Sequence, residues 1–227
     1  MPPLPMSEPV IARKPPDHTE IFRRKEIKYL LTPERYEALR EFFGSTLEVD
    51  RYGRQTVRSV YYDTPGFDLI RRSLQHPDYK EKLRVRGYGG PDSGMPMFAE
   101  IKKKLHGIVY KRRVPFDGGL LPGCLPERFD RYEEEITRRE LMAMFEHYRL
   151  LRPACFIACE RTACVGPEDL RVTFDEDLRF RTDRLSLLEQ TDGRPILKPG
   201  TVVMEVKYPG GAPLWISDAF SRMGIFP

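Results

Sequence analysis

Basic side chains recur at every second position along several short stretches of this sequence. Lys80, Lys82, Arg84 and Arg86 share one parity, and the same spacing joins Arg24, Glu26 and Lys28. It returns in Glu100, Lys102 and Lys104, in Lys111 and Arg113, in Arg171, Thr173 and Asp175, and in Glu205 and Lys207. Successive side chains of a β-strand point to opposite faces, so each set lines one face. A face of guanidinium and ammonium groups suits phosphate. Arg offers a planar fork to two phosphate oxygens, and Lys a compact point charge. The few carboxylates set two residues from a Lys (Glu26, Glu100 and Glu205) are oxygen donors that suit a metal ion. The pattern therefore predicts a surface that holds a polyanion together with a metal ion. The competing readings are a solvated outer sheet face for Lys82, Arg84 and Arg86, and a cross-strand ion pair for Glu205 and Lys207.

The elements that must carry these residues read as strands with helices between them. The opposite parity is apolar in most segments: Leu83 and Val85, Ala99 and Ile101, Val172 and Phe174, Met204 and Val206. Strands are expected at 21–31, 57–63, 79–88, 97–105, 108–116, 154–165, 170–175 and 201–208. Gly89-Gly90-Pro91-Asp92 and His106-Gly107 make the turns of an antiparallel meander. Thr32-Pro33-Glu34 opens a helix with Tyr36, Leu39 and Phe43 on one face, and Thr64-Pro65 opens a short one ending at Leu74. Residues 132–151 form an amphipathic helix with Ile136, Leu141, Met144, Phe145 and Tyr148 as its stripe, and 213–223 a last helix. The helix stripes need a partner, and the apolar strand parity supplies one. The sheet is thus expected to close into a barrel with its charged face inside and helices packed outside.

Composition narrows the class. The chain has 227 residues, 40% hydrophobic and 32% charged, with a net charge of only +4 from 38 basic and 34 acidic residues. An anion site must therefore arise from clustering rather than from total charge. Interleaved acidic residues and the lack of an RRM or KH motif argue against nucleic acid. No apolar run is long enough to span a membrane and no signal-peptide layout opens the chain, so a cytoplasmic location is expected. Six prolines in the first 16 positions mark residues 1–20 as a disordered leader, with one domain over 21–227. Cys124, Cys155, Cys159 and Cys164 lack zinc-site spacing and read as reduced, mostly buried thiols. His18, His76, His106 and His147 belong to no triad and read as surface residues.

In order along the chain stand Arg24-x-Glu26-x-Lys28-Tyr29, Ser59-Val60-Tyr61-Tyr62-Asp63-Thr64, Lys82-x-Arg84-x-Arg86-x-Tyr88 and Glu100-Ile101-Lys102. There follow Lys111-Arg112-Arg113, Arg161-Thr162-Ala163, Arg171-Val172-Thr173-Phe174-Asp175 and Glu205-Val206-Lys207. In this order the motifs resemble the VTC-type polyphosphate polymerase domain, a branch of the CYTH or triphosphate tunnel metalloenzyme superfamily.

The resemblance implies an α+β fold: an antiparallel eight-stranded tunnel whose walls bind triphosphate or polyphosphate. It implies phosphate binding by Lys28, Arg84, Arg86, Lys102, Lys111, Arg161 and Arg171, with Arg24 and Arg113 as additions. Lys82, Lys104 and Lys207 join them by shared parity. Arg84, Arg86, Lys102 and Arg161 would carry catalysis, and Glu205 the metal, Mn²⁺ or Mg²⁺, supported by Glu26 and Glu100. Tunnel triphosphatases open with Glu-x-Glu-x-Lys. Arg24 in place of the first glutamate weakens a second metal site and strengthens polyanion binding, which points to the VTC branch. Family members continue past the last helix into a Ser-Lys-Tyr-like segment, and a chain ending at Pro227 is expected to lack its lysine. The expected partners are ATP, polyphosphate and pyrophosphate or triphosphate, with a membrane partner left open. Three activities stay open on the sequence: polyphosphate polymerase, triphosphate or polyphosphate hydrolase, and a non-catalytic anion binder.

Overall fold

A computed structural model describes residues 24–106, 108–121, 123 and 131–227. The proline-rich segment 1–20, His18 and Cys124 lie outside the described residues, as does the side chain of Arg24. In chain order the elements are β1 (Arg24–Leu31), α1 (Pro33–Phe43), β2 (Glu48–Asp63), α2 (Asp68–Leu74), β3 (Tyr79–Tyr88), β4 (Met97–Leu105) and β5 (Ile108–Phe116). They continue as α3 (Tyr132–Tyr148), β6 (Arg152–Val165), β7 (Arg171–Arg181), β8 (Arg194–Pro195), β9 (Val202–Pro209) and α4 (Leu214–Arg222).

Every strand pairing is antiparallel, and the sheet runs β1-β9-β7-β6-β2-β3-β4-β5, with the two-residue β8 on the side of β7. The apolar parity faces the helices in two clusters. Val60, Tyr62, Leu83, Val85, Ile101 and Val114 meet Leu69 of α2 with Leu141 and Met144 of α3. Leu31, Val172, Phe174, Met204 and Val206 meet Leu39 and Phe43 of α1 with Ile216 and Phe220 of α4. Each helix thus covers one half of the sheet on the same side. The charged parity is left to the other side.

The expected closure is not made by backbone hydrogen bonds. Among the described residues β1 pairs only with β9 and β5 only with β4. Both edges carry the residues that discourage further pairing: Lys25 and Lys28 on β1, and Lys111, Arg112, Arg113 and Pro115 on β5. The sheet curls nonetheless. Lys28 on β1 depresses the titration of Lys82 on β3, although four strands separate them in the sheet order. Only a face that bends toward itself brings these two charges within reach.

Two local arrangements shape the frame around the site. α1 starts as expected, with Thr32 Oγ1 accepting from the Arg35 amide at 3.4 Å. α2 begins later, at Asp68, because Asp63 organises the turn before it. Its carboxylate accepts from the Thr64, Leu69 and Ile70 amides at 2.8, 2.9 and 3.0 Å. Asp63 is therefore a helix cap. Arg58, which the sequence analysis did not single out, is only 1% exposed and lies on the apolar side of β2. It donates to the carbonyls of Leu187 and Tyr88 and so ties the 182–193 loop to the sheet. Its cross-strand partner is Gly87, where a Cβ would stand 3.1 Å from Arg58 Nη2 and 3.2 Å from Met97 Cγ. Glycine here makes the room that the buried guanidinium needs.

Candidate functional site

The register gathers the candidate residues on one face. Arg84 stands opposite Tyr61 of β2 and Glu100 of β4, and Glu100 stands opposite Arg113 of β5. One rung along, Lys82, Lys102 and Lys111 lie abreast, and beyond them Lys80 pairs with Lys104. On the other half Arg161 is paired with Asp175, Arg171 with Lys207, Lys207 with Glu26, and Glu205 with Lys28. Arg24 has the parity of Glu26 and Lys28.

Glu100 is the hinge of the first half. It is 2% exposed, and Arg84 Nε donates to its Oε2 at 2.7 Å while Arg84 Nη2 lies 2.7 Å from the same oxygen. Lys111 Nζ sits 3.1 Å from Oε1. Burial opposes ionisation of this carboxyl, but Arg84, Lys111 and Arg86 outweigh it and hold the group down to about 2. Arg84 also donates through Nη1 to the Tyr61 hydroxyl at 3.1 Å. Arg86 bonds Ser59 Oγ at 3.2 Å. Burial, and then the charge of Arg84, depress its titration. Burial likewise lowers Lys82, with Lys102, Lys80 and Lys28 adding to the effect. Like charges are thus held close together in a partly desolvated place, an arrangement that an incoming anion stabilises.

The second half is more nearly neutral. Arg161 forms a two-point pair with Asp175, Nε to Oδ1 at 2.5 Å and Nη2 to Oδ2 at 2.6 Å. Burial works against the guanidinium charge, but the Asp175 bonds dominate and raise it. Lys207 Nζ is 2.5 Å from Glu205 Oε1 and 3.7 Å from Glu26 Oε2, and Lys28 Nζ is 3.4 Å from Glu205 Oε2. Burial pushes the Glu205 carboxyl up, yet the hydrogen bond and charge of Lys207, with the Lys28 charge, bring it well below the usual carboxylate range.

Of the three carboxylates expected to serve a metal, Glu26 and Glu205 are brought together, and Glu100 is engaged by Arg84 and Lys111 instead. Among the described residues no group of three or more His, Cys, Asp or Glu side chains gathers for a metal. A pair still fits a divalent cation that takes its remaining oxygens from phosphate and water. Mg²⁺ is usually bound through one or two carboxylates plus substrate phosphates. Lys207 Nζ, which contacts both Glu26 and Glu205, marks where two hard oxygen donors converge.

Three participants have no assigned role in the sequence reading: Ser59, Tyr61 and Asp175. The alternation Val57, Ser59, Tyr61 was the available signal for the first two, since it continues the charged parity onto β2. Cys155 and Cys159 line the same face, with Cys159 pushed up to about 12, chiefly by burial. His76, His106 and His147 are exposed. No helix among the described residues is long and apolar enough to cross a membrane.

A family model described as the VTC domain matches residues 23–227. No curated protein matches the sequence significantly. Among solved structures, a suspected adenylate cyclase of Bacillus halodurans is similar at 12% identity and TM-score 0.49, over 88% of each chain. Another from Vibrio parahaemolyticus gives 11% identity and TM-score 0.44, over 89% of this chain and 84% of that one. An adenylyl cyclase candidate from Hippeastrum, with a dominant triphosphatase activity, gives 13% and 0.40, over 88% and 87%.

Proposed function

This chain belongs to the VTC domain family, and from that premise we propose that its charged face binds ATP and polyphosphate and transfers the ATP γ-phosphate to the end of the polyphosphate chain. The observation that carries the reading is the excess of unpaired cations on that face. Among the described residues Lys82, Arg86, Lys102, Lys104, Arg113 and Arg171 form no ion pair, while Arg84 and Lys111 are held beside them by one buried carboxylate. A solvated outer face would not keep Glu100 at 2% and Arg84 at 21% exposure. Charge-assisted hydrogen bonds contribute about 1.5–3 kcal/mol each, so a handful suffices to hold a phosphate chain.

Transfer of a phosphoryl group is mostly positioning and charge stabilisation. Arg84, Arg86, Lys82 and Lys102 hold the reacting phosphates, and Arg161, fixed by Asp175, faces them from the other half of the curl. Glu26 and Glu205 would hold a divalent cation, which supplies charge neutralisation on the phosphoryl group being transferred. The attacking oxygen belongs to a terminal phosphate that is already ionised, so no protein base is required. It forms a new O–P bond to the γ-phosphorus as the bond to the β-γ bridging oxygen breaks, and ADP leaves. Arg24, where the triphosphatase pattern carries glutamate, leaves the Glu26–Glu205 pair as one cation site. A chain end held in line on the basic face then outcompetes water through its effective concentration.

The test is product identity. The protein is incubated with ATP, Mn²⁺ and a short polyphosphate primer, and the products are resolved on a gel. Lengthening chains with stoichiometric ADP are expected. Orthophosphate as the sole phosphate product, at every primer level, would replace this reading with a hydrolase.

A further inference from the structure

Tyr61 sits where the first half of the charged face is most crowded. It lies opposite Arg84 on β3 and opposite Cys155 on β6. Its oxygen accepts from Arg84 Nη1 at 3.1 Å, and the Arg84 guanidinium carbon stands 5.8 Å from its ring centre. Among the described residues its own O–H proton finds no acceptor. A phenol whose oxygen is already taken by a guanidinium directs its proton away from that guanidinium. The charged groups around it are Lys82, Arg84 and Arg86, with Glu100 behind Arg84. Every charge in direct range is therefore a hydrogen-bond donor. A donor hydroxyl surrounded by donors is complementary to an anion rich in acceptor oxygens.

We infer that Tyr61 is a substrate-contacting residue whose hydroxyl donates to a phosphate oxygen of the chain held by Lys82, Arg84 and Arg86. This rests on the charged face being the phosphate site. The phenol also reports occupancy. Burial alone would push it up, but Arg84, followed by Arg86 and Lys82, leaves it below the ordinary phenol value in the free protein. A bound phosphate neutralises those cations and needs the proton on oxygen, so binding raises the phenol's titration. Conversely, the phenolate that forms at alkaline pH places a negative charge where the phosphate would lie.

The experiment pairs calorimetric binding of inorganic tripolyphosphate with ultraviolet titration of tyrosinate, a signal to which Lys and Arg do not contribute. Wild-type protein should show one tyrosine ionising ahead of the rest, absent in Tyr61→Phe, and tripolyphosphate should move that ionisation to higher pH. Tyr61→Phe, which keeps the ring, should bind tripolyphosphate roughly tenfold more weakly at neutral pH, the size of one lost bond to a charged acceptor. Tight binding that leaves the early ionisation unmoved, together with equal affinity in Tyr61→Phe, would overturn the role of Tyr61 while leaving the phosphate site standing. Absence of tripolyphosphate binding in the wild type would overturn both. If the variant is unstable, tight tripolyphosphate binding that moves no tyrosine ionisation of the wild-type protein overturns the role of Tyr61 by itself.

Discussion

Arg84 and Glu100 face each other across the β3–β4 pair, and two guanidinium nitrogens reach the same carboxylate oxygen at 2.7 Å. The carboxylate is buried and the guanidinium nearly so, which reverses a simple expectation about a crowded basic face. Removing one cation from a like-charged cluster would ordinarily relieve repulsion. Removing Arg84 instead leaves the buried Glu100 with Lys111 as its one remaining ion-pair partner among the described residues. The Arg84→Ala variant should lose about 1–3 kcal/mol of stability, the usual cost of leaving a buried acceptor oxygen without its donor. Denaturant unfolding measures this, and an unchanged midpoint would mean that Glu100 reaches solvent.

Arg86→Ala should behave in the opposite way. Arg86 bonds Ser59 but forms no ion pair among the described residues, and its charge is disfavoured by burial and by Arg84. Its removal should leave the melting temperature equal to wild type or above it, while tripolyphosphate affinity falls by roughly ten- to a hundredfold. Calorimetry and thermal melting on one preparation separate the two effects. A destabilised variant with normal affinity would contradict this assignment.

Acid should unfold the protein through the same carboxylate. Glu100 titrates at about 2 when folded, against an ordinary 4.5. A depressed folded value contributes stability that is complete above 4.5 and is lost as pH falls toward 2. By linkage that contribution is about 3 kcal/mol. Stability measured across this window should decline less steeply in Glu100→Gln than in wild type, from a lower starting value at neutral pH. Parallel declines would show that Glu100 is not the group responsible.

These consequences were only partly legible in the sequence. β3, β4 and β5 are readable to the residue, because Leu83 and Val85 in β3 and Ala99 and Ile101 in β4 alternate with charged side chains, and turn residues separate the three strands. β2 was legible only from Val57. Its first half, Glu48 to Thr56, has no regular apolar parity, since that stretch is largely exposed. β7 outruns its expected end at Asp175 because Glu176 and Asp177 interrupt the apolar pattern, while Arg179 and Arg181 are held by loop carbonyls. The shared face of the candidate residues follows from a period of two. Who touches whom does not, because the Arg161–Asp175 and Arg84–Glu100 pairs depend on register between strands. Arg58 was hidden for another reason: a buried guanidinium bonded to backbone carbonyls reads, in sequence, as one more solvated charge.

Glu205→Gln should separate metal dependence from phosphate binding. The substitution keeps the shape but removes the charge that a hard cation needs beside Glu26, and it frees Lys28 and Lys207. Tripolyphosphate should still bind in the absence of metal, at least as tightly as to wild type, while Mn²⁺ no longer stimulates turnover. Calorimetry with and without Mn²⁺, followed by turnover assays, checks both arms. Preserved Mn²⁺ stimulation would place the cation elsewhere.

The central claim is spatial: a phosphate chain lies on the curled, charged face of the sheet. The most direct measurement is a crystal structure of this protein with tripolyphosphate. The account predicts phosphate density within hydrogen-bond distance of Arg84, Arg86 and Lys82, with an oxygen at the Tyr61 hydroxyl and Arg161 opposite. Tripolyphosphate bound on the helix-covered side, or only at surface lysines away from Arg84 and Arg86, would contradict it.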